Sequence, residues 1–293
     1  MMVEILLYRG CTTPVRLPAY EATTKLVLER LGVTAIDMLE TTCCGAQYVE
    51  SLNDNAFHAL GGRILALAEK EGKDILAICG ACSGSLKHTK HALDTDEAAR
   101  DELNSILKEE GLKYTGKTQV KHLLQVLRED IGYKAIERAV TRPYEGVRLA
   151  AHYGCHVTRP HELARVDDPE NPSIIDKVIE VVGGVPVRYP GRTRCCGGPL
   201  LAMDETASSK IGAEKIANVR SAGAIGIVTA CAFCDIQLTQ VQFGEGANGN
   251  DRIPVMPLTQ FLGPALGLDE NLMGFHLNRI SANPILAALK EGR

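Results

Sequence analysis

Ten cysteines dominate the chemistry this sequence can do, and they fall into two sets of five. The first is Cys11, Cys43, Cys44, Cys79 and Cys82; the second is Cys155, Cys195, Cys196, Cys231 and Cys234. Between Cys11 and Cys43 lie 31 residues, and between Cys155 and Cys195 lie 39. In both sets 34 residues then separate the Cys-Cys pair from a C-x-x-C motif. A disulfide scaffold suits small secreted domains, whereas clustered cysteines in a reducing compartment bind metal or do redox work. Zinc takes four ligands at tetrahedral angles, and an ordinary cubane iron–sulfur cluster takes four cysteines. Each set here offers five. Adjacent cysteines suit neighbouring irons of one cluster better than a single small ion, so the pattern favours a polynuclear iron–sulfur centre in each half. Two zinc sites with one spare cysteine each are the alternative, and spacing alone does not fix cluster geometry.

The repeat extends beyond the cysteines. Cys43-Cys44-Gly45 matches Cys195-Cys196-Gly197, and Ala77-Ile78-Cys79-Gly80-Ala81-Cys82 resembles Thr229-Ala230-Cys231-Ala232-Phe233-Cys234. Val120, Leu123, Gln125 and Leu127 have the spacing of Val255, Leu258, Gln260 and Leu262. Such self-similarity marks an internal duplication. The halves differ in one stretch: Cys82 to Val120 is 38 positions, Cys234 to Val255 only 21. The excess falls in 94–111, a charged segment read as an added helix covering the core of the first half.

The elements that must position these thiols follow from short apolar runs alternating with helical patterns. Strands are expected at 5–8, 35–39, 75–78, 148–152, 185–188 and 224–229, and helices at 20–31, 57–69, 173–182 and 207–221. Strand, helix, strand in this order means βαβ units with right-handed crossovers. The fold class expected is α/β: two tandem duplicated Rossmann-like domains with parallel sheets, 1–145 and 146–293. Each cysteine group then falls after a strand, and ligands of open parallel sheets gather outside the carboxyl ends of the strands. Both clusters are therefore expected at those ends.

Composition narrows the partners. The 293 residues are 45% hydrophobic and 23% charged with a net charge of −4, which excludes a global basic field for nucleic acid. No run of 18 apolar residues predicts a membrane span, and the start lacks a basic n-region and a long h-region. The expected location is cytoplasmic, with any membrane contact supplied by a partner.

The order Cys, Cys-Cys-Gly, C-x-x-C, present twice, resembles the cysteine-rich CCG domain family along the whole chain, and within it the B subunits of soluble heterodisulfide reductases. The resemblance implies two noncubane 4Fe-4S clusters, each held by the five cysteines of one set, with the reaction site between them. It implies reduction of the mixed disulfide of coenzyme M and coenzyme B. Electrons would come through a ferredoxin-like C subunit of heterodisulfide reductase from a flavin-containing A subunit, in a complex that bifurcates electrons. The sequence has no flavin fingerprint and no ferredoxin-type cysteine run, so electrons must come from partners.

Two clusters facing one cavity match the two electrons and two thiolates of disulfide cleavage. His156, beside Cys155, is the candidate proton donor, with His152 the weaker one; hydrogen bonding to a cluster sulfur or a carbonyl is the plainer role for His156. Arg9, Arg16, Lys87, Arg159, Arg192 and Arg194 are candidates for the anionic groups of the implied substrates. The rivals are a CCG-type component of a sulfur-compound, lactate, glycolate, glycerol-phosphate or succinate/fumarate oxidoreductase, a pure electron relay, and a zinc-stabilised scaffold.

Overall fold

The computed structural model describes residues 3–244 and 249–290. The tips of the two expected domain ranges, 1–2 and 291–293, lie outside the described residues. In the first half, β1 (Val3–Tyr8) leads through α1 (Pro18–Arg30) to β2 (Val33–Asp37), then through α2 (Asp54–Lys70) to β3 (Ile75–Ala77). Helices α3 (Gly80–Thr95) and α4 (Glu97–Leu107) precede β4 (Val120–His122). The second half repeats the plan with β5 (Arg148–His152), α5 (Ile174–Val181), β6 (Val185–Val187), α6 (Glu205–Ser221) and β7 (Gly226–Thr229). It closes with α7 (Ala232–Gln240), β8 (Val255–Pro257) and α8 (Leu258–Ala265).

Each half forms a four-stranded, all-parallel sheet, in the orders β2-β1-β3-β4 and β6-β5-β7-β8. The expected α/β fold is the observed one. Equivalent strands keep equivalent registers, with Tyr8 beside Ala77 and His152 beside Thr229. The chain leaves β1 toward β2 on one side and returns to β3 on the other. A crevice therefore opens at the carboxyl ends of β1 and β3, and likewise of β5 and β7.

Local chemistry explains the elements. Ile75-Leu76-Ala77 is buried throughout, as a central parallel strand covered on both faces must be. Both long helices start on a side-chain cap. Asn53 accepts the Ala56 N–H at 2.9 Å, and Asp204 accepts that of Ala207 at 2.9 Å, satisfying otherwise orphaned donors. The halves share an apolar core in which Leu123 and Leu124 cluster with Tyr153, Val157 and Ile175. α1 and α8 meet through Thr23 and Thr259, whose hydroxyls are 2.9 Å apart.

Three differences from the sequence expectation have physical reasons. The strand expected at 35–39 runs Val33–Asp37, because the chain turns out of the sheet at exposed Leu39 on its way to Cys43. Strands β4 and β8 are additional to the expected set, because each passes directly into a helical turn, at Leu123 and Leu258, with nothing to set the strand apart. Helix α3 opens with Gly-Ala-Cys-Ser-Gly-Ser, where Ala81 is the one good helix former and the rest give no propensity signal. The added helix of 94–111 is present as α4 and a 3-10 turn (Lys108–Glu110), with Leu103 and Leu107 packed into the core.

Candidate metal centre

Three strand ends deliver each set of cysteines. Cys11 follows β1, Cys43 and Cys44 lie in the loop after β2, and Cys79 caps α3 with Cys82 in its first turn. Cys155, Cys195 with Cys196, and Cys231 with Cys234 hold the same places after β5, β6 and β7. All ten are free thiols. Cys11 Sγ lies 3.6 Å from Cys43 Sγ. Contacts continue from Cys43 to Cys44, Cys82 and Cys79. The second set runs likewise from Cys155 through Cys195, Cys196 and Cys234 to Cys231. The two rows meet, because Cys79 Sγ is 3.7 Å from Cys231 Sγ. Spacing predicts two separate pockets; only the packing of the halves puts equivalent cysteines sulfur to sulfur.

This crowding controls ionisation. Cys44 is held well below the ordinary thiol range by hydrogen bonds from Cys43 and Cys82, Cys79 by those from Cys231 and Cys82, and Cys195 by those from Cys155 and Cys196. Cys82 donates to Cys44 and Cys79, Cys155 to Cys195, and Cys234 to Cys196 and Cys231; all three are pushed up, with burial adding to the effect. Neighbouring buried thiols do not all ionise without positive charge among them. Cations that bind thiolates supply that charge, so the donor set fits a thiolate-bound metal centre. Backbone helps: the N–H groups of Gly45, Gly197 and Gly198 point at the sulfurs of Cys43, Cys195 and Cys196, each at 3.4 Å.

Close backbone approach demands glycine at two equivalent places. Gly10 (φ +71°) and Gly154 (φ +81°) adopt the left-handed region, and a Cβ there would sit 2.9 Å from Cys82 Sγ and 3.4 Å from Cys234 Sγ respectively. Across the seam, Gly80 lets α3 press on the second half, since a Cβ would lie 2.5 Å from Val157 Cγ2.

The histidines separate clearly. His156 is half-buried with Nδ1 3.3 Å from Cys155 Sγ. His152 is wholly buried among Cys196, Cys234 and Tyr189. Of the cationic candidates, Arg16 and Lys87 line cavities beside the seam. Arg9 pairs with Glu21, Arg159 with Glu170 and Arg194 with exposed Glu214. Arg192 donates from Nη2 to Pro172 O at 2.5 Å and to Asp176 at 2.7 Å, while its Nε and Nη1 are buried without a partner among the described residues.

Sequence reasoning passes over four groups near the sulfurs. The Tyr20 hydroxyl is buried without a hydrogen-bond partner among the described residues. Burial holds its pKa high, and Cys79, Cys231 and Asp235 add to that. Asp235 is buried, accepts from Thr229 Oγ1 at 3.1 Å, and is pushed up to about 7 by burial. Tyr20 and Asp235 line one cavity with Arg16, Gln260 and Arg279. Lys215 is buried beside Cys234, Cys196 and Cys195. The signal for Asp235 and Lys215 is their offset: they stand where the first half has Ser83 and Arg63.

His122 is the fourth. Its Nδ1 accepts the Leu124 N–H at 3.2 Å, so Nε2 carries the proton and donates to Ala230 O at 3.0 Å, tying β4 to the residue before Cys231. Burial lowers its pKa from 6.5 to about 4. The unfolded chain therefore binds the extra proton first, and stability falls as pH drops from about 6.5 to about 4. The loss through this one group is about 3 kcal/mol at the bottom of that window. His122→Gln should remove that component, seen as a flatter stability curve between pH 7 and 4 in denaturant titrations; an unchanged slope would refute the assignment.

Comparison with known proteins follows the same outline. A family model described as Cysteine-rich domain, CCG, matches residues 5–87 and 149–239, the two stretches that carry the cysteine sets. The chain is 34% identical over 295 aligned positions, covering 99% of it and 98% of its relative, to the B subunit of the Ferredoxin/F(420)H(2)-dependent CoB-CoM heterodisulfide reductase of Methanosarcina acetivorans. It is 27% identical, over 97% of its length and 100% of the relative, to the membrane anchor of the 8-methylmenaquinol:fumarate reductase of Wolinella succinogenes. Among solved structures, a hypothetical protein from Helicobacter pylori superposes with a TM-score of 0.76 at 16% identity. That match covers 95% of this chain but only 52% of the other, so the chain spans about half of that molecule and the likeness concerns the fold.

Proposed function

The chain belongs to the cysteine-rich CCG domain family, in the branch of the heterodisulfide reductase B subunits, and we propose that it is the catalytic component that reduces the mixed disulfide of coenzyme M and coenzyme B. The observation that carries this reading is the continuous row of ten sulfurs joined at Cys79 and Cys231. We assign Cys11, Cys43, Cys44, Cys79 and Cys82 to one noncubane 4Fe-4S cluster, and Cys155, Cys195, Cys196, Cys231 and Cys234 to a second. Residues 1–145 and 146–293 are then two domains with one cluster each.

When bound, the clusters supply the two electrons that turn a disulfide into two thiolates. The chain's own residues do the rest. The thiolates of Cys44, Cys79 and Cys195 provide ready ligand charge, and backbone N–H groups stabilise it: that of Ala46 at Cys44, those of Cys82 and Phe233 at Cys79, and that of Gly197 at Cys195. Tyr20 and Asp235 place a hydroxyl and a carboxyl in the cavity at the seam, while Arg16 and Arg279 set positive charge there for an anionic substrate tail. His156, with Nδ1 facing Cys155, is placed to deliver a proton. Electrons enter from a ferredoxin-like C subunit and a flavin-containing A subunit, and bifurcation belongs to that assembly. Solvent-exposed Cys11 and Cys43 mark the edge through which a partner could reach the sulfur row. Among the described residues no helix is long and apolar enough to cross a membrane. Ten free thiols suit a reducing, cytoplasmic setting.

The test is anaerobic purification with iron and sulfide counting, electron paramagnetic resonance, and turnover on the coenzyme M–coenzyme B disulfide against other disulfides. A colourless, iron-free protein sinks the assignment. His156→Gln should slow turnover about a hundredfold with iron content intact; full activity would remove His156 from the chemistry. The Wolinella relative favours one second reading, a CCG-type component serving fumarate reduction. Electron delivery to a fumarate reductase, with no turnover on any disulfide, would select it.

A further inference from the structure

The cysteines of the two halves superimpose in pattern, but the groups behind them do not. At the end of β1 stands Tyr8, whose hydroxyl donates to Thr42 O at 2.8 Å and is thereby used up. At the equivalent end of β5 stands His152. Its Nδ1 faces the Tyr189 hydroxyl at 3.4 Å, a hydroxyl that also reaches Ala151 O at 3.3 Å, while Nε2 is fully buried with no partner among the described residues. A ring nitrogen of His152, Cys196 Sγ and Cys234 Sγ all lie within 4.8 Å of one another. A buried nitrogen left unpaired in a protein interior is costly, and here the nearest chemistry is the second set of thiols.

A second difference points the same way. Arg63 in α2 corresponds to Lys215 in α6. Arg63 is neutralised by Glu110 at 2.7 Å, and Glu110 comes from the segment that the second half lacks. Among the described residues Lys215 has no such carboxylate. It donates to Gly191 O at 2.5 Å, lies 5.7 Å from the Tyr189 ring centroid, and its charge is felt by Cys234, Cys196 and Cys195. The second pocket therefore has an unpartnered imidazole nitrogen and, among the described residues, a buried cation without a carboxylate, where the first has a satisfied phenol and an ion pair.

Building on the two-cluster reading above, we infer that His152 donates a hydrogen bond from Nε2 to a sulfur of the second cluster, and that with Lys215 it makes this cluster the more easily reduced of the two. Hydrogen bonds to cluster sulfurs and nearby positive charge both stabilise the more negative, reduced state. Greater water access at exposed Cys11 and Cys43 acts in favour of the first cluster. A direct donor and a cation in a buried, low-dielectric pocket outweigh it. The pseudo-symmetric site is thus polarised, with electrons settling in the second half.

The test is a redox titration of the anaerobically purified, cluster-loaded chain followed by electron paramagnetic resonance, after iron and sulfide have been counted. The wild type should show two unequal midpoints. In His152→Phe one midpoint should fall, so that the reduced-to-oxidised ratio of that cluster at a fixed potential drops about tenfold, equivalent to about 59 mV for a one-electron centre. His152→Gln, which keeps an N–H, should recover part of the shift, and the other midpoint should not move in either variant. Lys215→Met should lower the same midpoint and serves as the second probe if His152→Phe loses iron. Equal wild-type midpoints, or full iron with unmoved midpoints in the His152 and Lys215 variants, would overturn the inference while leaving the cluster assignment standing. Absence of clusters from the wild type overturns both.

Discussion

Cys44→Ser and Cys196→Ser should each remove about half of the iron and labile sulfide and cut disulfide reduction by at least about a hundredfold, since altering groups that merely support a metal ligand already costs 10–100-fold. Both cysteines are 2% exposed and sit in the middle of their rows, Cys44 between Cys43 and Cys82 and Cys196 between Cys195 and Cys234. A serine hydroxyl does not ionise at neutral pH, so the row loses a ligand and the hydrogen-bond chain of thiols is cut. The two variants should be equally inactive although each keeps one intact set. Disulfide cleavage needs two electrons and releases two thiolates, and the seam at Cys79 and Cys231 draws on both sets. Iron and sulfide analysis paired with steady-state turnover checks this. Half-maximal activity in each variant would mean that the sets work independently, and the paired site would be wrong.

The second large effect is on stability. Stripping the clusters with chelator under anaerobic, reducing conditions should lower the melting temperature by on the order of 10 °C. The donor groups come from six loops and from both halves, and Cys44, Cys79, Cys82, Cys196, Cys231 and Cys234 are buried. Binding there ties together segments that the unfolded chain holds apart, so binding free energy becomes folding free energy. Without the metal charge the buried thiols are left as donors and acceptors in a crowded row. Calorimetry of loaded and stripped protein decides the matter; coincident transitions would mean that the halves are held by their shared apolar core alone. That core is extensive, running from Leu123 and Leu124 to Val157 and Ile175, so the stripped chain should still fold.

Much of the architecture is legible because the signals are local. Alternation of apolar runs and helical patterns locates most of the strands and the long helices within a few residues, as at β5, expected and observed at 148–152. The short strands β4 and β8 and the helices behind the C-x-x-C motifs escape for opposite reasons. Strands β4 and β8 pass directly into helical turns at Leu123 and Leu258, so nothing sets them off from the apolar pattern that follows, and the glycines of α3 are there for contact with the second half, which overrides their poor helix propensity. The candidate site divides in the same way. All ten cysteines are visible as a repeated spacing. His122 and Tyr20 are not, because nothing local marks a histidine at a strand end or a tyrosine in a first helical turn as lying near the sulfurs, and Lys215 shows only as an offset against Arg63.

What the sequence determines by itself is the duplication, the parallel α/β halves and the ten thiols at strand ends, since each follows from spacing along one chain. Tertiary structure alone decides that the two rows meet at Cys79 and Cys231, that His152 is left with an unpaired nitrogen, and that Lys215 keeps the charge Arg63 shares with Glu110. The physical reason is that burial and electrostatic coupling depend on which surfaces close on each other. Two halves with one cysteine pattern thus acquire different surroundings, and that difference is written in contacts between residues far apart in the chain.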